Sequence, residues 1–146
     1  MKTMLDDLIA SVQSVPESIT GIISSDWNSK HIFYGDAGGM LGVGGQNRGR
    51  CPFVRVFRGP RDFNAQTSSS RGGTVTSNFI IEIVVTNQRM QDQEDQWDQA
   101  YQIFESIRDD LRGRANYRIG GETVEQLQFN PTIFVLKINF NVENSY

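Results

Sequence analysis

The chain has 146 residues, a formal net charge of −3, one cysteine and one histidine. A lone Cys51 and a lone His31 exclude an intrachain disulfide and a Cys/His zinc site, and a free thiol fits a reducing compartment. The length suits a single domain, 1–146, able to bury about 70% of its unfolded surface without a metal or bridge. Asp6 and Asp7 interrupt the apolar residues of the first fifteen positions, so no signal-peptide core is read there. The longest purely apolar run, Ile133–Leu136, is far short of a membrane span. The expectation is a soluble protein made inside the cell, without a membrane partner.

Met4, Leu5, Leu8, Ile9, Val12 and Val15 recur at helical spacing and predict an amphipathic helix up to Ser14. Pro16 is placed to open a second, short helix with Ile19, Ile22 and Ile23 as its apolar face. Ser24–Lys30 reads as a polar turn and Ile32–Tyr34 as a short strand. Phe53–Arg58 reads as a strand entered through Pro52, and Gly59–Gly73 as a Ser-, Arg- and Gly-rich hairpin loop. In the next strand, Thr74–Thr86, Phe79, Ile81, Ile83 and Val85 share one face. Ile80 and Val84 make the other face apolar around Glu82, as in a central strand covered on both sides.

Gln93–Arg112 reads as the main helix, with Trp97, Ala100, Tyr101, Phe104, Ile107 and Leu111 in one stripe. Asp92 is placed to cap it, Glu94 and Asp95 fall in its first turn, Arg108 and Arg112 in its last, and Gly113 at a left-handed C′ position. Beyond it the pattern gives a short strand at Tyr117–Ile119, a turn at Gly120-Gly121 and a loop at Asn130-Pro131. In the long terminal strand Phe134, Leu136, Ile138, Phe140 and Val142 alternate with Lys137, Asn139, Asn141 and Glu143. The order predicts an α+β fold: a mostly antiparallel sheet of four to five strands, one long amphipathic helix across it, and a helical N-terminus.

The tract Gly35–Gly49 holds seven glycines, among them Gly38, Gly39, Gly42, Gly44, Gly45 and Gly49. It lacks the lysine of a P-loop, and Asn47 stands where a dinucleotide fingerprint needs its third glycine. It reads as a flexible surface loop that orders against a partner. Cys51 beside Arg50 has only His31 as a possible base, twenty residues away, and reads as inert packing. The carboxylates Asp92, Glu94, Asp95 and Asp98 lack the spacing and glycine of a calcium loop and read as helix-start acids. No catalytic residue, cofactor site or metal site is therefore assigned. Arg48, Arg50, Arg55, Arg58 and Arg61 fall within fourteen residues beside only Asp62, and Arg71 follows. Such a run is either a solvated basic face or a docking surface for acidic groups.

The N-terminal helix, "CPFVRVF", "NFIIEIVVT", "DQWDQAYQIFESIRDDLRG" and "NPTIFVLKINFNV", in this order, resemble the tail-terminator and tail-completion proteins of long-tailed bacteriophages. The resemblance spans roughly Met1 to Glu143 and is one of size, order and pattern. It implies a small α+β subunit, not an enzyme, that forms a homo-oligomeric ring, commonly hexameric, on the finished tail tube. Such a ring ends tube polymerisation and offers a surface to the head connector. Its implied partners are other copies of itself, the tail-tube protein and a connector or neck protein, with DNA only passing through the lumen; its place is the virion. A neck or head-completion protein at the head–tail joint is the related alternative. An enzyme holding a phosphorylated ligand through the glycine tract is the alternative of a different class.

Overall fold

The apolar alternation expected between Thr74 and Thr86 produces the central strand of the molecule. The computed structural model describes residues 4–34, 51–58, 66–69, 72–86, 93–114, 117–130 and 133–145. Three helices come first: α1 Met4–Gln13, α2 Glu17–Thr20 and α3 Ser24–Lys30. Then follow β1 Ile32–Tyr34, β2 Phe53–Arg58, β3 Gln66–Ser69, β4 Gly72–Thr86, α4 Gln93–Arg112, β5 Arg118–Asn130 and β6 Ile133–Ser145. The sheet runs β1-β2-β4-β6-β5, with β3 pairing β4 off that path. Among the described residues only β1 and β2 pair in parallel, and the other pairings are antiparallel. This is the α+β arrangement expected, a mostly antiparallel sheet with a long helix packed across it.

The side-chain period of two puts Phe79, Ile81, Ile83 and Val85 of β4 on one face, beside Phe134, Leu136, Ile138, Phe140 and Val142 of β6. Against them α4 buries Ala100, Ile103, Phe104, Ile107 and Leu111, and α1 adds Leu8 and Val12. Trp97 meets Phe134 edge-on at 5.3 Å, the Phe104 ring lies 6.5 Å from Phe140, and the Arg108 guanidinium lies over the Phe104 ring at 5.2 Å. The predicted stripe is thus the core face of α4, with Ile103 as an added member.

Three sequence expectations need correction. Ser24–Lys30 is a helix rather than a turn, because one residue anchors it. Trp27 is fully buried, donates its Nε1–H to the Val12 carbonyl at 2.8 Å and stacks on His31. Gly113 is not left-handed; α4 ends through bonds from the Gly113 N–H to Asp109 and Asp110 and from the Arg114 N–H to Leu111. Gly120-Gly121 is not a turn but lies inside β5, where the register against β6 shifts between Gly120 and Thr123 and Gly121 takes φ of 62°. In addition, β3 lies within the segment expected to be loop, and β4 begins at Gly72. The expected cap Asp92 lies outside the described residues.

The other face of the sheet is also buried. Phe53, Val84, Ile133 and Val135 form a second cluster with Phe33, Cys51 and Leu127 against it. Beside that cluster runs a row of alternating charge. Arg55 pairs in register with Glu82, Glu82 with Lys137, and Lys137 with Glu125, across four strands. Glu82 is completely buried, and the Arg55 guanidinium reaches its carboxylate at 3.2 Å. Burial pushes the Glu82 carboxyl above the ordinary carboxylate range, while the charges of Arg55 and Lys137 pull it back in part.

Replacing Phe104 by Ala should cost about 3–5 kcal/mol, read as a lower urea midpoint, because the stripe cannot close over the space left. An unchanged midpoint would place the residue outside the core. The raised Glu82 carboxyl gives a second expectation. Its proton is held more tightly in the folded than in the unfolded chain, so the associated stability is present on the acid side. That stability is lost as pH rises from the ordinary value of 4.5 through the raised one. Glu82→Gln removes this slope. Urea midpoints of the two proteins, compared between about pH 4 and about pH 8, should diverge with pH; parallel profiles would contradict the assignment.

Candidate interaction surfaces

The arginine run does not form one patch in the described part of the fold. Arg55 and Arg58 stand three apart on β2 and so on opposite faces. Arg55 has only 11% of its side chain exposed and is joined to Glu82, whereas Arg58 is exposed at the end of the strand. Arg48, Arg50, Arg61 and Arg71 lie outside the described residues, as do Gly38, Gly39, Gly42, Gly44, Gly45 and Gly49. Nothing in the sequence separates Arg55 from the others; its pairing with Glu82 exists only once β2 and β4 lie side by side.

His31 is drawn next to the start of β2 by the parallel β1–β2 pairing. Its Nδ1–H donates to the Pro52 carbonyl at 3.0 Å, and its own carbonyl accepts from the Val54 N–H at 2.9 Å. The imidazole therefore ties the strand entry to α3. Among the described residues no three His, Cys, Asp or Glu side chains are grouped to hold a metal ion.

Polar ties also hold the helices to the sheet. The Tyr117 hydroxyl, just ahead of β5, donates to Asp7 of α1 at 2.5 Å. Burial, and then the hydrogen bond to Asp7 and its charge, push the Tyr117 hydroxyl up to about 12. Arg108 of α4 reaches Glu122 of β5 at 3.3 Å. At the C-terminal end of α4, burial works to raise the Asp110 carboxyl. Opposing causes, the Arg114 hydrogen bond at 2.7 Å first among them, outweigh it and hold the carboxyl below its ordinary range.

The outward side of the helical layer is acidic. Asp98, Gln102, Glu105 and Asp109 follow one another at helical spacing along α4, and all four are exposed. No ion pair engages Asp98, Glu105 or Asp109 among the described residues; the nearby Arg108 and Arg114 are paired with Glu122 and Asp110. The Gln99 side chain fixes α2 beside α4 by donating to the Ile19 carbonyl at 3.2 Å. Between them lies an open groove of about 370 Å³, lined by Ile19, Gln102, Glu105, Ser106 and Asp109. The sequence reading did not foresee it, because α2 meets α4 only through tertiary packing. Residues 4–34 and 93–114 together carry ten carboxylates against four cations, whereas 48–71 carries six arginines against one carboxylate.

The far edge of the sheet is β5, thirteen residues long, with most of its side chains exposed on both faces. No helix of the described residues is long and apolar enough to cross a membrane.

No family model matches the chain, and no curated protein matches it. Among solved structures, it is similar to a protein chain of the virion of a native gene transfer agent (GTA) particle. The two are 14% identical, the match covers 100% of both chains, and the TM-score is 0.48.

Proposed function

We propose that this chain is a structural subunit of a phage-type virion that caps the tail tube. Copies close into a ring on the tube end, stop its polymerisation and present the joint to the head connector, while DNA passes through the lumen. The observation that supports this reading is the architecture. The succession of elements on which the tail-terminator resemblance rests folds into one small α+β unit, with α4 lying over β4 and β6.

A capping ring asks for a stiff unit with two different contact surfaces, because a head-to-tail contact whose rotation closes makes a ring and one that does not makes a filament. The two-faced sheet supplies the stiffness. The arginine-rich segment supplies one contact surface, with Arg48, Arg50, Arg58, Arg61 and Arg71 as its docking side chains. Arg55 plays its part from inside, holding β2 to β4 through Glu82. Guanidinium groups suit this task because their planar forks bind carboxylates in two parallel hydrogen bonds.

The test adds the purified protein to growing tail tubes and follows them by negative-stain electron microscopy. The expected result is arrested elongation with one ring-shaped cap at a tube end. Tubes that lengthen normally in its presence, or light scattering that shows the protein alone forming unlimited polymers, would count against the reading.

A further inference from the structure

The groove between α2 and α4 has chemistry that one part of this chain matches. Its wall at Ile19 is apolar and half-buried, its far side carries the exposed carboxylates Glu105 and Asp109, and Gln102 and Ser106 add hydrogen-bonding groups between them. An arginine fits such a groove in both halves. Its methylene stem lies along the isoleucine, and its guanidinium reaches the carboxylates. Of the described cations near the groove, Arg108 is paired with Glu122 and Arg114 with Asp110, while Arg112 is exposed in the last turn of α4. Within the same chain the strongest basic density is the stretch 48–71, six arginines with Asp62 as the one carboxylate.

We propose that the α2–α4 groove is the receptor for the arginine-bearing segment 48–71 of a second copy of this chain, so that copies join head to tail. The inference rests on the ring reading above and names the surface that holds the ring. Donor and acceptor are different parts of the subunit, so each copy offers one of each and the contact repeats from subunit to subunit. Arg55 is committed to Glu82, and the docking is assigned to Arg48, Arg50, Arg61 and Arg71. Because the contact is built from exposed charge, it forms readily at low ionic strength and weakens as salt is added.

Charge reversal on each side tests this by sedimentation analysis of the full chain over a range of concentration and salt. The wild type should show a mass that rises with concentration at low ionic strength and falls with salt. Glu105→Arg with Asp109→Arg, and separately Arg48→Glu with Arg50→Glu, should each weaken association by about tenfold or more through like-charge contact. An equimolar mixture of the two reversed proteins should restore it, because each then meets its complement in the other. Unchanged circular dichroism melting shows that the variants fold; if the reversed groove does not, Glu105→Gln with Asp109→Asn should give a smaller loss in the same direction. The proposal is overturned by a wild type that stays monomeric throughout, by a groove variant that associates normally, or by a mixture no better than its parts. Restored association without tube capping would leave this interface standing and remove the tail reading. Capping without restoration would mean that another surface closes the ring.

Discussion

The position of Glu82 constrains the rest of the sheet. From Ser77 to Val85 β4 is covered on both sides, so each of these residues is committed to one of two buried layers, and a carboxylate in either layer loses its hydration. Burying a lone charge costs several kcal/mol. It is tolerated here because the strands on either side bring Arg55 and Lys137 to the same register position. A slip of one residue would turn Glu82 toward α4, among Phe104 and Ile107, and turn Ile81 and Ile83 away from the helix. The ion row thus specifies register more than it adds stability: an apolar residue at position 82 could pack as well but would not distinguish the correct pairing from its neighbours.

With register fixed, the two sides of the molecule acquire different duties. The α4 side of the sheet is an apolar layer sealed chiefly by α4, with α1 and Trp27 of α3 beside it, and the outward side of α4 must then be polar. Its polarity is mainly acidic, because the carboxylates Asp98, Glu105 and Asp109 follow the solvent stripe while Arg108 is turned onto Phe104 and Glu122, and Arg112 is exposed only in the last turn. Opposite charge is concentrated in 48–71. A chain divided in this way is poised for contacts between unlike surfaces. A contact made of exposed charges is weak by itself and grows effective when a template holds many copies together, since the second and later contacts form at high local concentration.

Where the sequence was informative, burial had imposed a period. α4, β4 and β6 each bury a full stripe, so their apolar spacing recorded which side faces inward. α3 left no such record, because Trp27 alone carries its packing and its other residues are polar. β5 was unreadable for the opposite reason: an edge strand with most side chains exposed has no layer to alternate against, and two adjacent glycines look like a turn whether or not the chain reverses. The interaction surface was legible only as charge. The sequence marked the arginines as a group but could not separate Arg55, whose partner lies on another strand, from Arg58. The groove was invisible, because it exists only once Ile19 and Asp109, ninety residues apart, are brought together.

The shape of β5 bears on how such a subunit avoids joining through the wrong surface. A thirteen-residue edge strand is a template for adding further strands, and an open sheet that grows along its edge has no natural end. Two irregularities interrupt this edge, one between Gly120 and Thr123 and one between Gln128 and Asn130, leaving only six consecutive residues in register with β6. Glycine matters at the first. Gly121 has a positive φ, and a Cβ there would come within 2.8 Å of the Asn141 side-chain nitrogen, so the irregularity is built into the backbone. Glu125 at the middle of the regular stretch places a charge where a second strand would have to settle beside it. Blunting the edge removes open-ended sheet growth as a competitor and leaves association to surfaces whose geometry can close. The capping role we propose asks for that division, because a cap ends a polymer rather than becoming one.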